Sequence, residues 1–183
     1  AGLTMSAVMQ IDVVASLALL SLKCAPLTFD LSSRLAHVSM RDQIVRAQLL
    51  ARDLKRFDTD AKRVLVVGAG IAGIAFAIEA AVAGLEVAIV EADCGPLHLQ
   101  SGVKTRFVGP FLYEWPSGFH NDQNYPPDPG RHLGTAPHHT PKWGDNEPVS
   151  AADMAAQFLA WLRGARHALG GNAPALWFDV DKA

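Results

Sequence analysis

Three glycines and a later glutamate have a spacing that could bind the phosphates and a sugar of a dinucleotide. The glycines form the pattern Gly68-x-Gly70-x-x-Gly73, and Glu91 follows eighteen residues after the last of them. In this pattern the first glycine permits a tight turn, the second lets a pyrophosphate approach bare backbone, and the third lets a helix pack closely on a sheet. The amides and dipole of a helix that begins there favour an anion. A carboxylate at position 91 can accept hydrogen bonds from a ribose and would repel a 2′-phosphate, which disfavours NADP.

The segments around the glycines are those that such a site needs. Val64–Val67 is a β-branched apolar run of the kind found in strands that are buried on both faces of a parallel sheet. An apolar helix should follow the glycines to about Ala83, and a second strand should cover Glu86–Val90. Strand, glycine turn, helix, strand and acid therefore follow in order within about 30 residues. This order favours nucleotide binding over a glycine turn that binds no ligand.

The stretch Arg63–Asp93 resembles the N-terminal βαβ unit of FAD-dependent oxidoreductases. In that family the glycine pattern extends beyond the third glycine, and Ala77 and Gly84 fall on the next two positions of the extension. The extension favours FAD over NAD, which stays open as the alternative cofactor. The resemblance implies that the ADP half of FAD lies over Gly68–Gly73, with its ribose on Glu91. The residues expected to bind the cofactor are Gly68, Ala69, Gly70, Ile71, Ala72, Gly73, Glu91 and Ala92.

Outside this unit, periodicity predicts two amphipathic helices, at about Ser39–Phe57 and Ala151–Leu169, and a third strand at Ala175–Val180. The charged residues of the first helix are expected to face solvent. The segment 110–148 is too rich in proline for a helix or a central strand, and its aromatic residues favour a packed loop. Packing over the sheet edge is favoured for this loop. If it instead forms a wall of the substrate or flavin site, the candidates are Tyr113, Trp115 and His120.

Together these segments predict an α/β fold with a Rossmann-like FAD/NAD(P)-binding core, in which helices cover both faces of a parallel sheet. Residues 1–60 are expected to form an N-terminal helical extension. Residues 61–183 are expected to form the FAD/NAD(P)-binding domain, which includes the proline-rich loop. Because the chain stops soon after its third strand, we expect a domain that is truncated at the C-terminus.

Composition disfavours several other classes of protein. The 183 residues carry a net charge of −2 without a basic stripe, which argues against nucleic-acid binding. Cys24 and Cys94 match neither a disulfide framework nor a metal spacing, so we expect free thiols and no metal. The apolar stretch Ala7–Leu22 contains Asp12 and has no basic residue before it, which fits neither a secretory signal nor a membrane span. These features predict a cytoplasmic protein.

The function expected from the sequence is the FAD-binding portion of a flavin-dependent oxidoreductase. The segment 151–180 is similar to the part of flavin-dependent monooxygenases that adds a third strand to the sheet. Amine oxidases have Arg-Gly-Gly-Arg soon after the acid, whereas this chain has Cys94-Gly95-Pro96-Leu97-His98, which disfavours an amine oxidase. A non-catalytic dinucleotide-binding or redox-sensing module and an NAD-dependent dehydrogenase domain stay open as alternatives. The sequence assigns no catalytic residue, substrate or oligomeric state.

Overall fold

The computed structural model describes residues 20–32, 40–57, 60–109 and 147–180. Most of the apolar N-terminal stretch and nearly all of the proline-rich loop, with its three candidate residues, lie outside this part of the chain. The elements in chain order are β1 (Lys23–Ala25), β2 (Thr28–Phe29), α1 (Met40–Phe57), β3 (Arg63–Val67), α2 (Ile71–Val82), β4 (Glu86–Val90), β5 (Phe107–Val108), β6 (Val149–Ser150), α3 (Ala151–Leu169), a 3₁₀ turn (Gly170–Asn172) and β7 (Ala175–Trp177).

A parallel sheet with the order β3-β4-β7 forms the centre of the fold. β3 and β4 pair from Arg63 opposite Glu86 to Val67 opposite Val90, and β7 adds to the other edge of β4. All three strands begin where the sequence predicts them, apart from one residue at β3. The third strand ends at Trp177 and not at Val180, because Asp179 has a φ of +53° that extended backbone does not adopt.

Helices α1, α2 and α3 and one face of the sheet share a single hydrophobic core. Val66 and Ile89 point from the sheet into this core, where they meet the apolar side chains of α2. α1 and α3 both pack against α2. Ser150 is the N-cap of α3, since the Asp153 amide donates to Ser150 Oγ at 3.1 Å. Helix α2, which follows the glycines, therefore lies at the centre of the packing.

The other face of the sheet is largely exposed among the described residues. Side chains alternate along a strand, so Leu65 and Val67 point away from α2, and their exposed fractions are 62% and 82%. Trp177 of β7 is 61% exposed. The described helices thus cover one face of the sheet, and the expectation that β3 is buried on both faces is wrong for this part of the chain. An apolar run shows that a strand can be buried, but it does not show which element covers each face.

The exposure predicted for the charged residues of α1 is wrong for four of them, since Asp42, Arg46, Arg52 and Asp53 are buried or half-buried. Asp53 is almost fully buried, and Arg52 is half-buried beside Glu79 of α2. Lys55 near the end of the helix is exposed, as expected. The charged side chains of α1 therefore contribute to its interface with α2, which helical periodicity alone does not reveal. Within the described ranges, no helix combines the length and apolarity needed to cross a lipid bilayer.

Candidate cofactor-binding site

The backbone leaves β3 through a turn that needs glycine at its first position. Gly68 has a φ of +98°, which glycine adopts without the steric cost that a Cβ would add. Its amide donates to Val90 O at 2.8 Å and so continues the pairing of β3 with β4 by one residue. The turn therefore begins at the carboxyl edge of the sheet, where ligands bind in open α/β folds.

The third glycine is required by close packing within the protein. A Cβ placed on Gly73 would overlap the carbonyl oxygen of Gly68 and would lie 3.3 Å from Val66 Cγ1. Both neighbours belong to the end of β3 and the turn that follows it. Helix α2 can therefore approach the strand only because residue 73 has no side chain, as the spacing predicts.

The second glycine differs, because no contact in the described fold explains it. Gly70 is the N-cap of α2, with φ −76° and ψ −177°, values that any residue adopts. A Cβ placed on it would have no heavy atom within 4 Å. The space beside Gly70 is open, and a side chain would project into it. A ligand that lies against the backbone would make use of that space.

The first turn of α2 offers donors to the same region. The Ile74 amide donates to Gly70 O at 2.9 Å and is the first intrahelical bond of this end. The amides of Ile71, Ala72 and Gly73 precede it, so they have no acceptor within the helix. The first turn contains no acidic residue, and the N-cap supplies no side-chain hydrogen bond. This helix end therefore keeps its partial positive charge and can bind an anion.

Glu91 lies beside the glycine turn, with its carboxylate held by two backbone amides. The Ala69 amide donates to Oε2 at 2.5 Å, and the Asp93 amide donates to Oε1 at 3.1 Å. A carboxylate has about four acceptor positions, so the group can also accept from a ligand. Ala92, the last residue expected at the site, is half-buried next to Glu91. The structure thus brings the predicted glycines and the predicted acid together at one edge of the sheet.

Two backbone segments beside this region, one at Leu97 and one at the end of β7, were not predicted from the sequence. The Leu97 amide donates to Ala69 O at 3.1 Å, and Leu97 is buried with a φ of +56°. At the end of β7, the Val180 amide donates to Glu91 O at 3.1 Å, and the Glu91 amide donates to Trp177 O at 2.9 Å. All these bonds join backbone groups, which every residue type except proline can supply as donors. No side-chain pattern could therefore have indicated them.

The cysteine and histidine that follow Glu91 are close to each other. Cys94 Sγ lies 3.8 Å from His98 Nδ1, and both side chains are exposed. Cys24 and Cys94 are both free thiols. In the ranges that the structure covers, no three His, Cys, Asp or Glu side chains form a group that could hold a metal ion.

A family model described as FAD dependent oxidoreductase matches residues 63–177, which is more than half of the chain. The protein therefore belongs to the FAD-dependent oxidoreductase family. Membership confirms the predicted Rossmann-like fold and FAD as the cofactor, and it identifies the chain as containing the FAD-binding domain of a flavin-dependent oxidoreductase. Comparisons with curated proteins and with solved structures found no match.

The residues present fit the ADP half of FAD. A Cβ on Gly70 would project into the open space beside the turn, the first-turn amides of α2 suit a diphosphate, and the Glu91 carboxylate suits a ribose. Gly68 and Gly73 have the conformation and the packing that the turn requires.

Proposed function

We propose that the chain binds FAD with the pyrophosphate over Gly68–Gly73 and the adenosine ribose on Glu91. The observation that supports this most strongly is the open space at Gly70, where the fold itself tolerates a side chain. Glycine in that position has a clear physical use when a diphosphate lies against the backbone.

Each part of the proposed site has one task. The amides of Ile71 and Ala72 donate to the phosphate oxygens, and the positive end of α2 stabilises their charge. Glu91 accepts hydrogen bonds from the ribose hydroxyls and excludes a 2′-phosphate by like-charge repulsion. Ala92 has a small side chain, which leaves space for the sugar beside Glu91. FAD, when bound, supplies the hydride or electron transfer of the oxidoreductase, and the protein positions and tunes it.

We further propose that the enzyme is of the monooxygenase type and acts on a small-molecule substrate. The support comes from the segment 151–180, which resembles the part of flavin-dependent monooxygenases that adds a third strand to the sheet. In this chain α3 leads into β7, and β7 pairs in parallel with β4 as that third strand. This pairing places the end of β7 beside Glu91. The test is anaerobic addition of NADH or NADPH to the flavin-loaded protein. Bleaching of the flavin band is expected, and an unchanged spectrum with both nucleotides would contradict this type.

We also propose the domain division and the location that the sequence indicates. Residues 61–183 would form the FAD-binding domain, and residues 1–60 an extension whose helix α1 packs directly on α2. The exposed free thiols of Cys24 and Cys94 favour a reducing compartment, and so the cytoplasm.

Retention of FAD by the protein tests the proposed function. The 183-residue chain is mixed with FAD, excess cofactor is removed by gel filtration, and the absorbance of the protein fraction is recorded. We expect the protein to retain a flavin spectrum at a stoichiometry of one, and NADH to compete weakly. A colourless protein fraction would contradict the proposal. Binding of NADH in place of FAD would support an NAD-dependent dehydrogenase domain.

A further inference from the structure

The segment that follows β4 holds the glycine turn from two sides. The Ala69 amide donates to Glu91 Oε2, and the Ala69 carbonyl accepts from the Leu97 amide at 3.1 Å. Ala69 itself is fully buried between these partners. Both peptide groups that flank residue 69 are therefore fixed by groups of one segment, Glu91–Leu97.

The orientation of a peptide carbonyl determines where the amide of the same peptide points. In a trans peptide the C=O and the N–H point in opposite directions. The Ala69 amide points to Glu91, so the Gly68 carbonyl points the other way, towards α2, where it would overlap a Cβ on Gly73. By the same rule, the bond from Leu97 to the Ala69 carbonyl turns the Gly70 amide away from Leu97. Gly70 is the residue whose Cβ direction is open.

Leu97 reaches the Ala69 carbonyl in a conformation that leucine rarely adopts. Its φ of +56° lies in the left-handed region, where a residue with a side chain is strained. The side chain is 2% exposed within the core, and the Leu97 carbonyl accepts from the amides of Gln100 and Ser101. Leu27 has nearly the same φ of +55° but is 86% exposed. At Leu97, in contrast, the strained backbone is hydrogen-bonded at both its amide and its carbonyl.

We propose that Leu97 is a positioning residue for the cofactor phosphates. Its amide fixes the peptide between Ala69 and Gly70, so that the Gly70 amide faces the phosphate region before any ligand arrives. This inference rests on the proposed function, since it requires the pyrophosphate to lie beside Gly70. It assigns to Leu97 a role that depends on its backbone amide and not on its side chain.

The test removes the Leu97 amide and keeps its side chain. Replacing Leu97 with the corresponding α-hydroxy acid converts that amide to an ester, which lacks the N–H donor. The matched control is the same replacement at Ser101, which deletes the bond from the Ser101 amide to the Leu97 carbonyl but leaves that carbonyl bonded to the Gln100 amide. We expect the dissociation constant for FAD to rise about tenfold for the ester at 97, the loss of one hydrogen bond to a preorganised donor, and less than about twofold for the ester at 101.

A second variant separates positioning from packing. Leu97→Ala keeps the amide but removes core packing, so its urea midpoint should fall while its FAD affinity, measured where the protein is fully folded, stays within about threefold of the unmodified chain. Equal FAD affinities for the two esters, or a larger loss of affinity in Leu97→Ala than in the ester at 97, would overturn the inference. Failure of the unmodified chain to bind FAD would instead overturn the proposed function, so the two failures are distinguishable.

Discussion

The two ends of helix α2 have different surroundings in the protein. From Ile74 to Ala81 every residue is buried, and the one charged residue, Glu79, is 3% exposed with Arg52 Nε at 3.9 Å from its Oε1. At the other end, the cap residue Gly70 faces open space, and the first turn has no acidic residue or side-chain cap. The protein supplies partners for one end of the helix with its own side chains. At the other end a ligand can supply them.

This difference separates residues that stabilise the fold from residues that serve a ligand. A substitution in the closed part of the helix, the buried stretch Ile74–Ala81, should lower the free energy of unfolding and leave FAD affinity in the folded protein unchanged. A substitution at the open end, beside Gly70, should weaken FAD binding and leave the free energy of unfolding nearly unchanged. Gly73 lies on the boundary between the two, because it belongs to the glycine pattern but its need for glycine arises from packing.

The largest effect on stability is expected at Gly73. In Gly73→Ala the new methyl group overlaps the Gly68 carbonyl, so the helix must move away from β3, and we expect a loss of about 3 kcal/mol in the free energy of unfolding. Urea unfolding followed by circular dichroism measures it. Gly171→Ala is the control, since that glycine has open space and an ordinary φ. Equal stability of the two variants would show that α2 does not pack on the strand as described.

The next effect is on binding alone. Gly70→Ala should weaken FAD binding at least 100-fold, equivalent to about 2.8 kcal/mol, because the methyl group would occupy the space of the pyrophosphate. Its stability should stay within about 1 kcal/mol of the unmodified chain, since only the N-cap preference changes. Titration by flavin fluorescence measures the affinity, with Gly171→Ala again as the control. Undiminished FAD affinity in Gly70→Ala would be incompatible with the proposed path of the phosphates.

A smaller effect is expected in the closed part of the helix. Arg52→Met removes the cation beside the buried Glu79 carboxylate and should cost about 2 kcal/mol of stability, without changing the FAD affinity of the folded protein. Arg63→Met is the matched control, because the Arg63–Glu86 pair is exposed on both sides and should contribute less than about 1 kcal/mol. The free energies of unfolding in urea provide the comparison. Equal losses of stability in the two variants would show that burial does not increase the contribution of the Arg52–Glu79 pair.

The smallest of these effects is expected at the ribose. Glu91→Gln keeps one acceptor oxygen but removes the negative charge, so FAD affinity should fall about tenfold, or about 1.4 kcal/mol. Glu86→Gln is the control, since it alters an exposed carboxylate at the other end of the same strand. Isothermal titration of both variants with FAD gives the two affinities. We expect a clear difference between them, and identical values would remove Glu91 from the site.

The local parts of this site could be predicted from sequence because the chain itself fixes their spacing. Strand, glycine turn, helix and acid are consecutive, so Gly68, Gly73 and Glu91 must meet at one edge once the two strands pair in parallel. The Ser150 cap is likewise a relation between residues three apart. Such features depend on few assumptions about the remainder of the fold.

The features that sequence did not reveal depend on distant segments or on the backbone. Arg52 and Glu79 lie on different helices, and only the packing of α1 on α2 brings them together. Leu97 contributes an amide in a left-handed conformation, and neither property is visible in a leucine. The exposure of Leu65 and Val67 depends on which segments cover the second face of the sheet.

The most direct test is to map FAD onto the backbone of the chain by NMR. In ¹⁵N-labelled protein titrated with FAD, we expect the largest amide shifts at Gly70–Gly73 and at Glu91, with the amides around Glu79 nearly unchanged. Shifts centred on the exposed face of the sheet, at Leu65, Val67 and Trp177, would contradict this expectation.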